Sequence, residues 1–389
     1  MSTTIKKPLL DLPLKVVLTE AGASYFIGNK KRLLRFRLAD NTEEYGIMLN
    51  NFAPLSLQRM VLVDYVSKIE ISMPEFVSKR QEIIDLSKLI VYSLLYKQFN
   101  SQIQTVLLST ECIKKHNRAN PSQLFDNQTK MSESVLHSAL VGKSAIIGET
   151  RKHILEPIIN DIIHNKEYSP EEKNMYLLMA EKFLNRLSLF NWYLLLLFLK
   201  NPGFSEMVTG IRDLLKKYLE KSKVAEYSSL MILELAQMSE NANMRKEAKK
   251  MYPDLQDNDN VLYDPEIRQK IIKELTRNHE LVFLSWKIGG GATAIGKQGR
   301  LEITLYNKDD EFQEFKDNID QKKSADLNKK TLIDFYRDVT EGDSGTNDLG
   351  LYYISYLDDA CRDMNIKFDS TVSQFSSSDL TVITLFFNF

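Results

Sequence analysis

Cysteine is scarce in this chain of 389 residues: Cys112 and Cys361 are the two, far apart and in no metal-like spacing. A disulfide framework and a cysteine-rich zinc site are thereby excluded, and the usage suits a reducing compartment. An excess of charge of one sign is also lacking. Lys and Arg number 51 against 52 Asp and Glu, a formal charge of -1, so nothing global favours nucleic acid or an acidic membrane, and only local patches could. Long apolar runs are missing as well. The richest, LFNWYLLLLFL over 189–199, is broken by Asn191 and bounded by Arg186 and Lys200; it is too short to cross a bilayer and is expected as a buried helix, so no membrane span is expected. The opening MSTTIKKPLLDLPLK holds no long apolar core and no cleavage site, which does not read as a secretory signal, and the expected location is cytoplasmic. There is no internal repeat and no low-complexity tract.

What is present is the composition of an ordinary soluble protein, 43% hydrophobic and 26% charged, enough for two or three domains with real cores. Short alternating runs at 15–19, 32–38, 45–49, 60–66 and 68–72, punctuated by Gly22, Gly28, Asn29, Asp40 and Asn41, predict a small β domain over residues 1–75. Its one charge feature is Lys30-Lys31-Arg32 with Arg35 and Arg37, five cations in eight residues. On a strand Arg35 and Arg37 share one face and Leu34 and Phe36 the other. A solvated edge protected by charge is the ordinary reading of this stretch. Binding of nucleic acid or a cyclic dinucleotide through Arg32, Arg35 and Arg37 is the functional one.

From Pro74 the period becomes helical, as over 76–99, and residues 117–133 are polar enough for a long loop. Helical periodicity resumes near Val135 and holds to Lys223, with Ser169-Pro170-Glu171-Glu172 as a helix start and Asn201-Pro202-Gly203 as a stop. Residues 76–224 are therefore expected as an all-helical domain. After it, 281–288 and 300–307 read as strands on either side of a glycine-rich connection, and 366–372 and 380–387 as a terminal hairpin around Ser376-Ser377-Ser378-Asp379. Between the strand pairs a polar loop, 341–348, runs into Leu349-Gly350-Leu351 and an amphipathic helix to about Met364. Such a helix start leaves N–H groups beside the positive end of the dipole, where an anion is favoured.

This order, with Ile333-Asp334-Phe335-Tyr336-Arg337 before the loop and Asp348-Leu349-Gly350-Leu351 after it, resembles the C-terminal part of the GHKL ATP-binding domain of histidine kinases, gyrase-type topoisomerases and a heat-shock chaperone. The resemblance covers about 225–389 and implies an α/β sandwich there, an α+β protein overall, and ATP with Mg2+ as cofactor. It further implies a helix whose asparagine holds the metal against the phosphates. Over 228–246 that place falls to Asn241, with Glu234 and Gln237 close by on one helical face; Glu274 to Asn278 offers the same spacing as a competitor. Gln237 stands where hydrolysing members carry a glutamate, and an amide accepts no proton at neutral pH, so no catalytic residue is assigned. Asp309 takes the place of the adenine-binding aspartate, without the glycines that follow it in the family, and Gly350 and Leu351 face the phosphates. A kinase also needs a phosphoacceptor; His153, with Pro157 four residues on, is the candidate, one residue out of the usual spacing. The reading is a signalling or regulatory protein whose nucleotide acts as ligand, with a protein partner. The alternative is a pseudo-ATPase scaffold without nucleotide.

Overall fold

The computed structural model describes residues 9–37, 43–129, 131–253, 264–289, 299–308, 357–375 and 380–389. The chain divides into two compact units, Met1–Ser93 with Val224–Phe389, and Leu94–Lys223.

The first unit begins with the order β1 (Leu14–Leu18), α1 (Glu20–Gly28), β2 (Leu34–Arg37), β3 (Glu43–Leu49), α2 (Pro54–Leu62) and β4 (Val66–Met73). The four strands are antiparallel in the order β2-β3-β1-β4, the split βαβ arrangement. Two helices thus stand in a stretch expected as β alone. Thr19 caps α1 by accepting from Gly22 N at 3.1 Å, and Gly22 lets the helix pass the Tyr65 carbonyl, which a Cβ would meet at 2.3 Å. Pro54 opens α2 at a position where its missing N–H costs nothing. The run 60–66 expected as a strand is the end of this helix and the turn after it: Leu57 and Val61, one turn apart, are both buried, a helical stripe that five alternating residues conceal.

The sheet does not stop at β4. That strand pairs antiparallel with β5 (Val282–Gly289), Met73 opposite Val282, and β5 pairs with β6 (Arg300–Lys308). The terminal hairpin of β7 (Lys367–Phe375) and β8 (Leu380–Asn388) joins through β8, completing eight strands in the order β2-β3-β1-β4-β5-β6-β8-β7. The segments expected as separate domains, 1–75 and 225–389, therefore share one sheet, and the helical segment is inserted between them in the sequence. The structure fits an α+β protein with a helical middle and an antiparallel sheet.

One face of the sheet carries Val16, Ile69, Leu284, Trp286, Ile303, Leu305, Ile383 and Leu385, all buried. Ile232 and Leu235 of a long helix pack on it, leaving an apolar gap of about 10 Å3 against Leu284, Ile303, Leu305, Ile383 and Leu385. On the opposite face stand Lys15, Lys68, Glu70, Ser285, Thr304 and Thr384. There the half-exposed Lys15 and Lys68 hold the Glu70 carboxylate at 2.7 Å each. Burial pushes that carboxyl up, but hydrogen bonds and charge from the two ammonium groups outweigh it and leave it below the usual range. Glu70 therefore contributes stability that is present above its unfolded pKa and lost as pH falls through the lower folded one.

Two helices of this unit and the turn after β4 meet at one carboxylate. Glu240 lies on the long helix and is 0% exposed; its Oε2 accepts from Phe76 N at 2.6 Å and Val77 N at 3.2 Å, while Oε1 is paired with Arg268. Arg268 also reaches Glu75 at 3.3 Å. Burial raises the Glu240 carboxyl, opposed by those N–H groups and by Arg268. Glu240→Ala should leave two orphaned N–H groups and a half-buried guanidinium held by Glu75 alone, and cost about 3–5 kcal/mol, whereas Arg362→Ala, removing the exposed Arg362–Asp358 pair, should cost about 1 kcal/mol or less; urea denaturation of the two variants measures both.

The second unit is helical: the latter part of α3 (Arg80–Ser109), then α4 (Glu111–Ala119), α5 (Glu133–Leu140), α6 (Ser144–His164), α7 (Pro170–Asn185), α8 (Leu189–Leu197) and α9 (Phe204–Lys221). Ser169 and Glu172 form a reciprocal capping box. Tyr96, Phe99, Phe183 and Tyr218 pack as tilted and edge-on ring pairs with centroids 4.9–5.6 Å apart. Asn100 stitches α3 to the turn before α8, donating to Arg186 O at 2.8 Å and accepting from Ser188 N at 2.6 Å. The apolar run at 189–199 is α8, with Trp192, Leu194 and Leu195 buried as expected. No helix among the described residues is long and apolar enough to cross a membrane.

Candidate functional site

The long helix is α10 (Lys223–Met251), and α11 (Pro265–Arg277) follows it. The structure brings Glu234, Gln237 and Asn241 together on α10, all half-buried. Glu234 lies 3.7 Å from the Arg80 guanidinium; burial raises its carboxyl and Arg80 opposes the shift. Gln237 and Asn241 make no side-chain hydrogen bond among the described residues. The competing Glu274 and Asn278 stand at the exposed end of α11, where Glu274 is paired with Arg277 and Asn278 caps the helix. Asp309, Gly350 and Leu351 lie outside the described residues. His153 is exposed on α6 in the helical unit. Of the basic strand, Arg35 is paired with Glu43 of β3, and Arg32 is exposed in the loop before β2.

Strand direction fixes where these residues stand. The pairings Met73 with Val282, Phe283 with Tyr306 and Lys308 with Leu380 put the end of β4, the start of β5, the end of β6 and the start of β8 at one end of the sheet. Phe76, three residues beyond Met73, is bound to Glu240, so the Glu240–Asn241 turn of α10 lies at this end. The last residue of β6, Lys308, directly precedes Asp309. From there the chain returns through a helix, α12 (357–363), to β7, whose Lys367 pairs with Asn388 at the other end. Thus β6 and β7 run parallel, and the chain crosses back between them. Leu357 and Cys361, one turn apart on α12, are buried, and burial pushes the Cys361 thiol up to about 12, which leaves it unreactive.

One residue at this end went unnoticed in the sequence. Thr381 pairs with Asn307 of β6 and with Gln374 of β7, on the helix-covered face with Ile383, Leu385 and Phe387. It is 2% exposed, and its Oγ1 has no hydrogen-bond partner among the described residues. The inward series of β8 reads Thr-Ile-Leu-Phe, and a hydroxyl heading an apolar series is the signal that could have flagged it. A buried hydroxyl without a partner is costly, which makes the group a candidate to meet a ligand. No group of residues able to hold a metal ion occurs among the described residues.

Comparison with known proteins gives kinship without a role. The family described as "Family of unknown function (DUF8084)" matches residues 5–389, and the chain belongs to it. An "Uncharacterized protein" of Treponema pallidum (strain Nichols) is 38% identical over 390 residues, covering 100% of both chains. No solved structure matches.

Thr381→Val keeps the shape and removes the orphaned hydroxyl, so the ligand-free protein should gain about 1 kcal/mol of stability, read as an unchanged or higher urea midpoint. A loss of more than this would mean that the hydroxyl is satisfied in solution.

Proposed function

We propose that this member of the family is a regulatory protein that binds a nucleotide, with Mg2+, at the end of the sheet where β6 finishes and β8 begins. The observation that carries the reading is the convergence there of the Asn241 turn of α10, the strand end that leads to Asp309, and the Thr381 hydroxyl under the helix layer, which has no partner among the described residues. The hairpin of β5 and β6, a crossing helix and a closing strand pair also follow the order expected from the GHKL resemblance.

Within this reading Asn241 supplies the metal-side oxygen, and Gln237, one turn before it, contacts phosphate or water. Thr381 donates to or accepts from the base. With an amide at Gln237 and Glu234 drawn towards Arg80, neither side chain on this face of α10 is set to activate water, and in this reading the nucleotide acts as ligand and is not consumed.

The pseudo-ATPase reading is favoured by a different observation: the gap beneath α10, about 10 Å3 and lined by apolar side chains alone, holds a water at most. Thermal denaturation with a nucleotide panel and Mg2+ separates the two. The nucleotide reading predicts a rise of about 2.7 kcal/mol in unfolding free energy at a hundredfold excess over Kd, abolished by Asn241→Ala and by Asp309→Ala and reduced in Thr381→Val. No shift with any nucleotide at millimolar concentration would sink it and leave the scaffold reading.

A further inference from the structure

The corner of the split βαβ module at the α1–β2 loop combines three features. First, the loop is rigidly closed: Asn29 N donates to Tyr25 O at 3.1 Å, Lys30 N to Ile27 O at 2.9 Å and Lys31 N to Phe26 O at 3.0 Å, with Lys30 held at φ 56°. Second, Lys30, Lys31 and Arg32 are exposed at its tip, and none has a carboxylate partner among the described residues. Lys15, Lys68 and Arg35 of the same module, by contrast, sit in ion pairs. Third, large apolar side chains flank the tip on both sides. Tyr25 is 50% and Ile27 58% exposed on α1, while Leu34 is 42% and Met48 50% exposed on the open sheet face. Leu34 stands opposite Gly46, and with no side chain there Phe36 lies over the glycine, where a Cβ would meet its ring at 2.8 Å. Leu34, Phe36 and Met48 thus share this corner of the open face, with the Lys15 ammonium 4.0 Å over the Phe36 ring.

The geometry points to this corner as a docking site for an anionic lipid surface. Unpaired cations ring exposed aliphatic side chains, which is the pattern of interfacial insertion: the apolar groups enter the acyl boundary while lysine and arginine reach the headgroup phosphates. Helix capping accounts for cations at the end of α1, but not for Ile27, Leu34 and Met48 standing beside them in water. A nucleic-acid surface would use the cations and Tyr25 and leave the aliphatic groups without a role. Three charges and a small apolar corner give reversible, salt-sensitive association, not stable anchoring.

Co-sedimentation of the full chain with phosphatidylcholine vesicles, with and without phosphatidylglycerol, tests this. Pelleting is expected only with phosphatidylglycerol, and is reversed by salt. The Lys30→Glu, Lys31→Glu, Arg32→Glu triple variant should bind about 100-fold more weakly. Ile27→Ser with Leu34→Ser should weaken binding at unchanged charge. All five side chains are on the surface, so melting temperatures should hold. Failure of the wild type to pellet with phosphatidylglycerol, or retention by both variants, overturns the proposal. So does a band shift with RNA or duplex DNA that the charge variant abolishes while vesicles leave the protein in the supernatant.

Discussion

A single carboxylate holds the first unit together. Glu240 is removed from water, and an ion so placed is tolerated only when its oxygens are filled by charge and hydrogen bonds. Here they are: Phe76 and Val77 at the entry to α3, and Arg268 from α11. The consequence is positional. The chain leaves the sheet after β4, passes through the whole helical unit and comes back as α10, and the Glu240 contacts fix which turn of α10 stands over which end of the sheet. Asn241, the next residue, inherits its place from that constraint.

The sheet imposes the second constraint. Every adjacent pair is antiparallel, and because successive side chains alternate, register decides chemistry as well as packing. The covered face is mostly apolar, and where β8 begins the hydroxyl of Thr381 stands without a partner among the described residues. On the open face the charges neutralise one another, Lys15 and Lys68 around Glu70. The unsatisfied hydroxyl and the unpaired loop cations are two of the places among the described residues where local satisfaction fails, and such places are where partners are most often met. They lie on different parts of the unit, so a ligand at one and a surface at the other need not compete.

Much of this was legible in the sequence. The helical middle, the helix start at Ser169, the buried run of α8 and the strand pairs β5–β6 and β7–β8 follow from periodicity and caps, which are local signals. The module at residues 14–73 was not. Short helices such as α1 and α2 make two turns, too few for a period of 3.6 to stand out from strand alternation, and Gly22 read as punctuation when it is a contact with Tyr65. The pairing of β4 with β5 was hidden for another reason: it joins Met73 to Val282, and nothing local announces a partner that far along the chain. Of the site, the grouping of Glu234, Gln237 and Asn241 on one helix face came from spacing alone. The role of Glu240 did not, since its partners come from α11 and from the turn after β4.

The most direct measurement is a structure of the chain crystallised with a non-hydrolysable ATP analogue and Mg2+. The account predicts ligand density at the end of the sheet where β6 finishes, with a polar atom of the nucleotide within hydrogen-bond distance of Thr381 Oγ1 and the metal beside Asn241. Density elsewhere on the chain, or none at saturating nucleotide, would contradict it.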